Sequence, residues 1–237
     1  MQIRNILIDL DDTILDFHKA EHAALTKSLQ ELGIEPTPHI LERYSEINLW
    51  HWKQLELGKL TRDEVLFGRF AKLFEEFGID ARAEDAKAHY EHNLGIGHYF
   101  MPGAVELLEE LNGSYRLFLA SNGTASVQHG RIESAGIAHY FDKIFISQEL
   151  GANKPSAEFF SLIFAMVPDM SKSDTVILGD SLTSDMRGGE NFGLTTIWFN
   201  PGHKENYTLA TDTPVHPDFE VDALSKVGAL LEGEYIT

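Results

Sequence analysis

The sequence predicts an α/β protein: a doubly wound parallel sheet interrupted by an all-helical insert. Short apolar runs recur along the chain, with the branched-aliphatic content of strands buried on both faces. Helical patterns separate the later runs, the alternation that builds a parallel sheet covered by helices. Residues 16–100 break the alternation, because they carry helical periodicity and no strand pattern.

The first strand is the isoleucine-rich run 3–10. In the insert, Gly33 and Gly78 mark helix stops, and Thr37-Pro38 marks a start, with proline at a position where its missing N–H costs nothing. Thr61-Arg62-Asp63-Glu64 is a capping box, in which Thr61 and Glu64 satisfy each other's orphan amides. Leu66, Phe70, Leu73, Phe74 and Phe77 then fall on one face of the helix. The sheet resumes near Met101-Pro102, where Pro102 takes the first position of a helix that turns Ala104, Leu107, Leu108 and Leu111 to one side. Strands follow at 115–121, 143–147, 175–178 and 195–199, with helices at about 125–135, 156–167 and 184–192. Three prolines and many polar residues predict a long surface loop over 200–217.

Composition narrows the function. The 237 residues include 19 Lys and Arg against 37 Asp and Glu, a formal charge of −18. Such a field repels phosphate backbones, which argues against nucleic-acid polymers and anionic membranes as partners. A small anion needs a pocket whose local polarity opposes the global charge. The absence of cysteine excludes disulfide scaffolds, Cys zinc sites and thiol catalysis. No apolar segment suits a signal peptide or a membrane span, so the expected location is the cytoplasm.

Four short segments sit where strands end, the edge at which open α/β sheets bind ligands. Asp9-Leu10-Asp11-Asp12-Thr13 puts three carboxylates in four positions, a repulsion that a bound divalent cation relieves. Ser121-Asn122-Gly123 offers a hydroxyl and a backbone free to aim amides at an anion. Gly151-Ala152-Asn153-Lys154-Pro155 brings a lysine, and Gly179-Asp180-Ser181-Leu182-Thr183-Ser184-Asp185 brings two more carboxylates. Each segment alone also reads as an ordinary turn, a surface lysine or a helix cap. Four in one order do not.

In that order, Asp9-x-Asp11-x-Thr13, Ser121, Lys154 and Gly179-Asp180-x-x-x-x-Asp185 resemble the four motifs of the haloacid dehalogenase-like (HAD) hydrolase superfamily, from residue 3 to about residue 200. Asp12 stands where many members carry glycine. The resemblance implies a Rossmann-like core, residues 1–16 and 101–237, and a helical C1 cap, residues 17–100. It implies an aspartyl-phosphate mechanism in which Asp9 is the nucleophile and Asp11 the general acid and base. Mg²⁺ would be held by Asp9, Asp180 and the backbone carbonyl of Asp11, with Asp185 supporting from behind. Ser121, Asn122 and Lys154 would bind the phosphoryl oxygens and Thr13 would steady the loop. A protonatable Asp11 favours a phosphoester over a halide, which needs no proton to leave.

His18-Lys19-Ala20-Glu21-His22 matches an inverted zinc-protease pattern, but no third ligand accompanies it, and helix-surface histidines are the better reading. His89 and His92 read the same way. Trp50 and Trp52 flank His51 and offer either cap core or a stacking surface for a flat substrate. Phe17 offers packing or the pocket mouth. With Gly58 and Gly68-Arg69-Phe70, this insert is similar to the cap of the pyrimidine 5′-nucleotidases of the superfamily. The resemblance therefore implies a Mg²⁺-dependent phosphatase acting on a small phosphorylated metabolite, a pyrimidine nucleoside 5′-monophosphate first. Phosphoglycolate or sugar-phosphate hydrolysis, a phosphosugar mutase and a catalytically silent binding protein are the alternatives. The oligomeric state is not legible.

Overall fold

A computed structural model describes residues 3–203 and 214–233, so residues 204–213 of the long-loop segment lie outside the described residues. Six parallel strands form one sheet in the order β3-β2-β1-β4-β5-β6. They are β1 (Asn5–Ile8), β2 (Arg116–Ser121), β3 (Lys143–Ile146), β4 (Thr175–Gly179), β5 (Thr195–Phe199) and β6 (Phe219–Val221). The chain builds outward from β1 to β3, then returns to the far side of β1 with β4. That reversal creates the switch point at which such sheets bind ligands.

The strands are apolar throughout because both faces are covered. Ile6 and Ile8 point to one face with Leu117, Leu119, Val176 and Leu178, while Leu7 points to the other with Phe118, Phe145 and Ile177. This is the two-residue period of a pleated strand, read on both sides. The first face is covered by α5 (Ala104–Leu111), which buries the four predicted residues Ala104, Leu107, Leu108 and Leu111. On the second face, α8 (Ala157–Met166) buries Phe159, Phe160 and Ile163. Each buried side chain of this size contributes roughly 1.5–3 kcal/mol.

Four helices lie between β1 and α5: α1 (Phe17–Glu31), α2 (Pro38–Glu56), α3 (Arg62–Phe77) and α4 (Ala83–Gly95). Their starts follow local chemistry. The Thr37 hydroxyl accepts from the Ile40 amide, with Pro38 first in α2. The capping box of α3 is formed, with the Thr61 amide donating to Glu64 Oε2 at 2.7 Å. The helices share an apolar cluster centred on Tyr44, Phe70 and Tyr90, whose ring centroids lie 5.0–5.6 Å apart. The insert touches the rest of the chain where α4 crosses α6 (Ala125–Ala135). There Gly130 is required, because a Cβ would stand 2.6 Å from the Gly95 carbonyl oxygen.

The chain enters and leaves the insert side by side. The Asp16 amide donates to Tyr99 O at 2.7 Å and the Met101 amide to Ile14 O at 2.9 Å, with Leu15 bridged antiparallel to Phe100. No helix of the described residues is long and apolar enough to cross a membrane.

Some boundaries differ from expectation. Helix α5 begins at Ala104 rather than Pro102, because Gly103 at φ 80° bends the chain first. Strand 143–147 ends at Ile146, and Ser147 opens a short helix α7 (Ser147–Leu150). The helix expected over 184–192 is a π-helical turn, Leu182–Met186, followed by α9 (Arg187–Phe192). Strand β6 was not expected, and a closing helix α10 (Val227–Leu231) follows it.

Candidate active site

Strand β1 delivers Asp9 to the switch point. Its amide donates to Leu178 O of β4 at 2.9 Å, so the ladder fixes the backbone one residue beyond the strand. The chain then folds back: the amides of Ile14 and Leu15 both donate to Leu10 O. Asp12 sits at the turn with φ 57°, a conformation that glycine adopts freely and aspartate tolerates better than most residues. Its carboxylate is useful there, because Oδ1 accepts from the Phe17 amide at 2.9 Å and ties the loop to α1. Thr13 is fully buried in this loop, and its Oγ1 has no partner among the described residues.

Lys154 is buried with its ammonium fully used. It donates to Asp9 Oδ1 at 2.7 Å, Asp185 Oδ1 at 2.6 Å and Ala120 O at 2.6 Å. The Asn122 side chain fixes the lysine's backbone, accepting from its amide and donating to its carbonyl, both at 2.9 Å. Asn122 thus positions Lys154 with its side chain. Gly179 admits the next carboxylate: a Cβ there would lie 2.4 Å from the Asp185 carboxylate. Asp185 Oδ2 also accepts from the Ser181 amide at 3.2 Å.

Asp9, Asp180 and Asp185 bring one oxygen each to within 4.8 Å of one another. An all-carboxylate donor set with Lys154 on one side fits a hard divalent cation, which prefers oxygen ligands. Asp185 therefore stands in the cluster itself as well as behind it. Burial, and then the charge of Asp185, push the Asp9 carboxyl up to about 8, with Lys154 opposing. Burial alone would lower Lys154, yet Asp185 and Asp9 hold it above its usual range. A cation at this point would relieve the same repulsion.

Asp11 is gripped from α6. Arg131, fully buried, pairs through Nη1 with Asp11 Oδ1, and Gln128 Nε2 donates to Asp11 Oδ2 at 2.8 Å. The same Gln128 nitrogen donates to Ser121 Oγ at 2.7 Å, linking the second strand's hydroxyl to the acid. Sequence reasoning did not single out Gln128 or Arg131. Their spacing of three on the helix after Ser121 puts them on one face, which is the only signal they leave.

Above these groups lies a cavity of about 760 Å³. Its floor includes Asp9, Asp11, Asn122, Lys154 and Asp180, and its insert wall includes Glu21, Asn48, Trp52, Arg69 and Tyr90. The two tryptophans separate: Trp52 lines the cavity, whereas Trp50 is 55% exposed and stands outside the lining. Phe17 and His18 also line it, with His18 3.5 Å from Asp12 Oδ2. Glu21 of the H-x-x-E-H pattern instead turns inward to Ser45 and Asn48. His89 pairs with Glu31. Two groups of polar contacts tie insert to floor: Arg62 donates to Gly123 O, Ser147 Oγ and Asn153 Oδ1 at 2.6–2.7 Å, while Lys53 and Glu56 hold Thr183. Arg62 was noted only as part of a helix start.

A doubly wound parallel sheet with a carboxylate and lysine cluster at its switch point defines the class: a Rossmann-like α/β protein with a site fit for a divalent cation. The family model for haloacid dehalogenase-like hydrolase matches residues 6–199, and the chain belongs to that family. It is 36% identical to the HAD-hydrolase YfnB of Bacillus subtilis, over 98% of this chain and 96% of that one. A magnesium-bound crystal structure of YfnB, which reveals interdomain movement in that protein, superimposes with a TM-score of 0.90, covering 98% of this chain and 99% of the other. The chain is also 39% identical to the pyrimidine 5′-nucleotidase PynA of Streptococcus pneumoniae, over 88% of both chains. The pyrimidine 5′-nucleotidase YjjG of Escherichia coli is 26% identical over 95% of this chain and 96% of its own.

Proposed function

We propose that this hydrolase is a Mg²⁺-dependent phosphomonoesterase of the cytoplasm, acting on pyrimidine nucleoside 5′-monophosphates. The observation that carries the phosphatase reading is the convergence of Asp9, Asp180 and Asp185 with Lys154 on a cavity floor. The pyrimidine reading is supported by similarity to two pyrimidine 5′-nucleotidases and by the position of Trp52 in the cavity wall.

In this mechanism an Asp9 oxygen attacks phosphorus as the bond to the ester oxygen breaks, giving an aspartyl-phosphate. Asp11, aimed by Arg131 and Gln128, donates its proton to the departing nucleoside oxygen. It then takes a proton from water as that water attacks phosphorus and the Asp9–phosphorus bond breaks. Lys154, exchanging its contact with Asp9 for a phosphoryl oxygen, and Ser121 bind the phosphoryl group, with Asn122 holding the lysine in place. Asp9, Asp180 and the Asp11 carbonyl would hold Mg²⁺, with Asp185 beside them; when bound it neutralises charge on the phosphoryl group and on the clustered carboxylates. Residues 17–100 act as a cap that closes over residues 1–16 and 101–237 and excludes water.

The test is phosphate release with Mg²⁺ from dTMP and UMP, set beside phosphoglycolate and a sugar phosphate. Preference for the nucleotides is the expected result, and Asp9→Asn should lower turnover by about four orders of magnitude. Substantial turnover in that variant would remove the covalent mechanism. Bisphosphate-dependent isomerisation without phosphate release would identify a mutase instead.

A further inference from the structure

The insert end of the cavity holds a polar group that the phosphoryl chemistry does not use. Glu21, Asn48 and Arg69 line the cavity, and each is more than nine-tenths buried. They form a relay: Arg69 Nη1 donates to Asn48 Oδ1 at 2.8 Å, and Asn48 Nδ2 donates to Glu21 Oε1 at 2.6 Å. Arg69 lies 4.9 Å from the Tyr90 ring centroid and spends Nη1 on Asn48, while its other terminal nitrogen, Nη2, makes no hydrogen bond among the described residues. A guanidinium on a cavity wall with a terminal nitrogen left unpaired can donate to an acceptor that enters the cavity. Glu21 accepts from Ser45 and Asn48 and keeps further lone pairs for an N–H.

Charge restricts what can sit there. The insert helices contribute two side-chain cations to the cavity, Lys53 and Arg69. Each is already answered by a carboxylate, Lys53 directly by Glu56 at 3.0 Å and Arg69 by Glu21 through Asn48. No cation of this wall is left over for a second anionic group, and a buried anion without a partner is costly.

We propose that Glu21, Asn48 and Arg69 form a recognition subsite for an uncharged leaving group that presents a carbonyl oxygen and an N–H, and that this subsite rejects leaving groups carrying a carboxylate or a second phosphate. Arg69 takes the carbonyl and Glu21 the N–H, as in the imide edge of a dioxopyrimidine. Trp52 lines the same cavity. The assignment rests on the phosphatase reading above.

The experiment uses the full chain with Mg²⁺ and a matched pair, dTMP and 5-carboxy-dUMP, in which a carboxylate replaces one methyl group. Acetyl phosphate, a mixed anhydride with no ring to read, is the reference substrate. The expected kcat/KM is at least thirty-fold lower for the carboxylate. In Arg69→Met and Glu21→Gln, efficiency on dTMP relative to acetyl phosphate should fall ten-fold or more, chiefly through KM. Equal hydrolysis of the pair, or an unchanged ratio in a folded variant, overturns the subsite alone. If neither variant folds, the matched pair still decides with the unaltered protein. No release from any of these substrates, acetyl phosphate included, overturns the phosphatase reading and the subsite with it.

Discussion

As the proposed nucleophile, Asp9 has to be both buried enough to react and charged enough to attack, and its surroundings pull in opposite directions. Burial and Asp185 raise its carboxyl from 3.8 to about 8, while Lys154 opposes them. In the metal-free protein the folded state therefore keeps a proton that the unfolded chain loses. Both states hold it below about pH 4; between that point and about pH 8 stability declines as pH rises, and above pH 8 the loss is complete. Metal-free Asp9→Asn lacks this penalty. Its melting temperature should exceed that of the unaltered protein by more at pH 8 than at pH 5, at about 2–4 °C per kcal/mol relieved. A gap independent of pH would mean that Lys154 keeps Asp9 ionised throughout. At this scale the acidic residues and Lys154 were legible because strand ends concentrate them in short motifs. Arg131 and Gln128 were not, because a helix face brings them to Asp11 across more than a hundred residues of chain.

Helix α3 shows how an element serves the site. Its capping box fixes where the helix starts, and Arg62 is its first residue. From there the guanidinium reaches Gly123, Ser147 and Asn153, on the loops that carry Ser121 and Lys154. Arg62 also lies 5.6 Å from the Trp52 ring centroid, so one side chain ties α2, α3 and the floor together. Arg62→Met should raise KM for the nucleotide about ten-fold, equivalent to about 1.4 kcal/mol, with a smaller change in kcat. Arg62→Lys should recover only part of it, since one ammonium cannot reproduce the planar fork. Equal KM in all three proteins would show that the contact is dispensable. The sequence exposed the long elements, whose periodicity repeats over several turns. It hid β6, because a Phe-Glu-Val run is too short to show a period, and it misplaced the start of α5, because Gly103 rather than Pro102 makes the bend.

Across the whole molecule, a charge of −18 surrounds a floor that, in the proposed function, accepts a phosphate dianion. The local arrangement then has to overcome the field, and the proposed closure of residues 17–100 would concentrate Lys154 and the cluster on the ligand. A compact chain of this length has a radius of gyration of about 18 Å. Small-angle scattering with Mg²⁺ and a phosphate analogue should show it fall by roughly 1 Å on that scale. An unchanged radius would mean that the helices stay fixed during turnover. The sheet and its switch point could be anticipated from alternating patterns, whereas the cavity could not. Its walls are set by how four helices pack over a distant floor, and shape of that kind leaves no local trace in the chain.

The paired crossings at Ile14–Asp16 and Tyr99–Met101 carry a consequence for ancestry and engineering. Because the chain departs and returns at adjacent points, the sheet sees the insert as little more than a loop closed by two hydrogen bonds. A different set of helices, or a short turn, could be grafted between these residues without rethreading any of the six strands. One catalytic chassis could in this way acquire new selectivities by exchanging a single cassette.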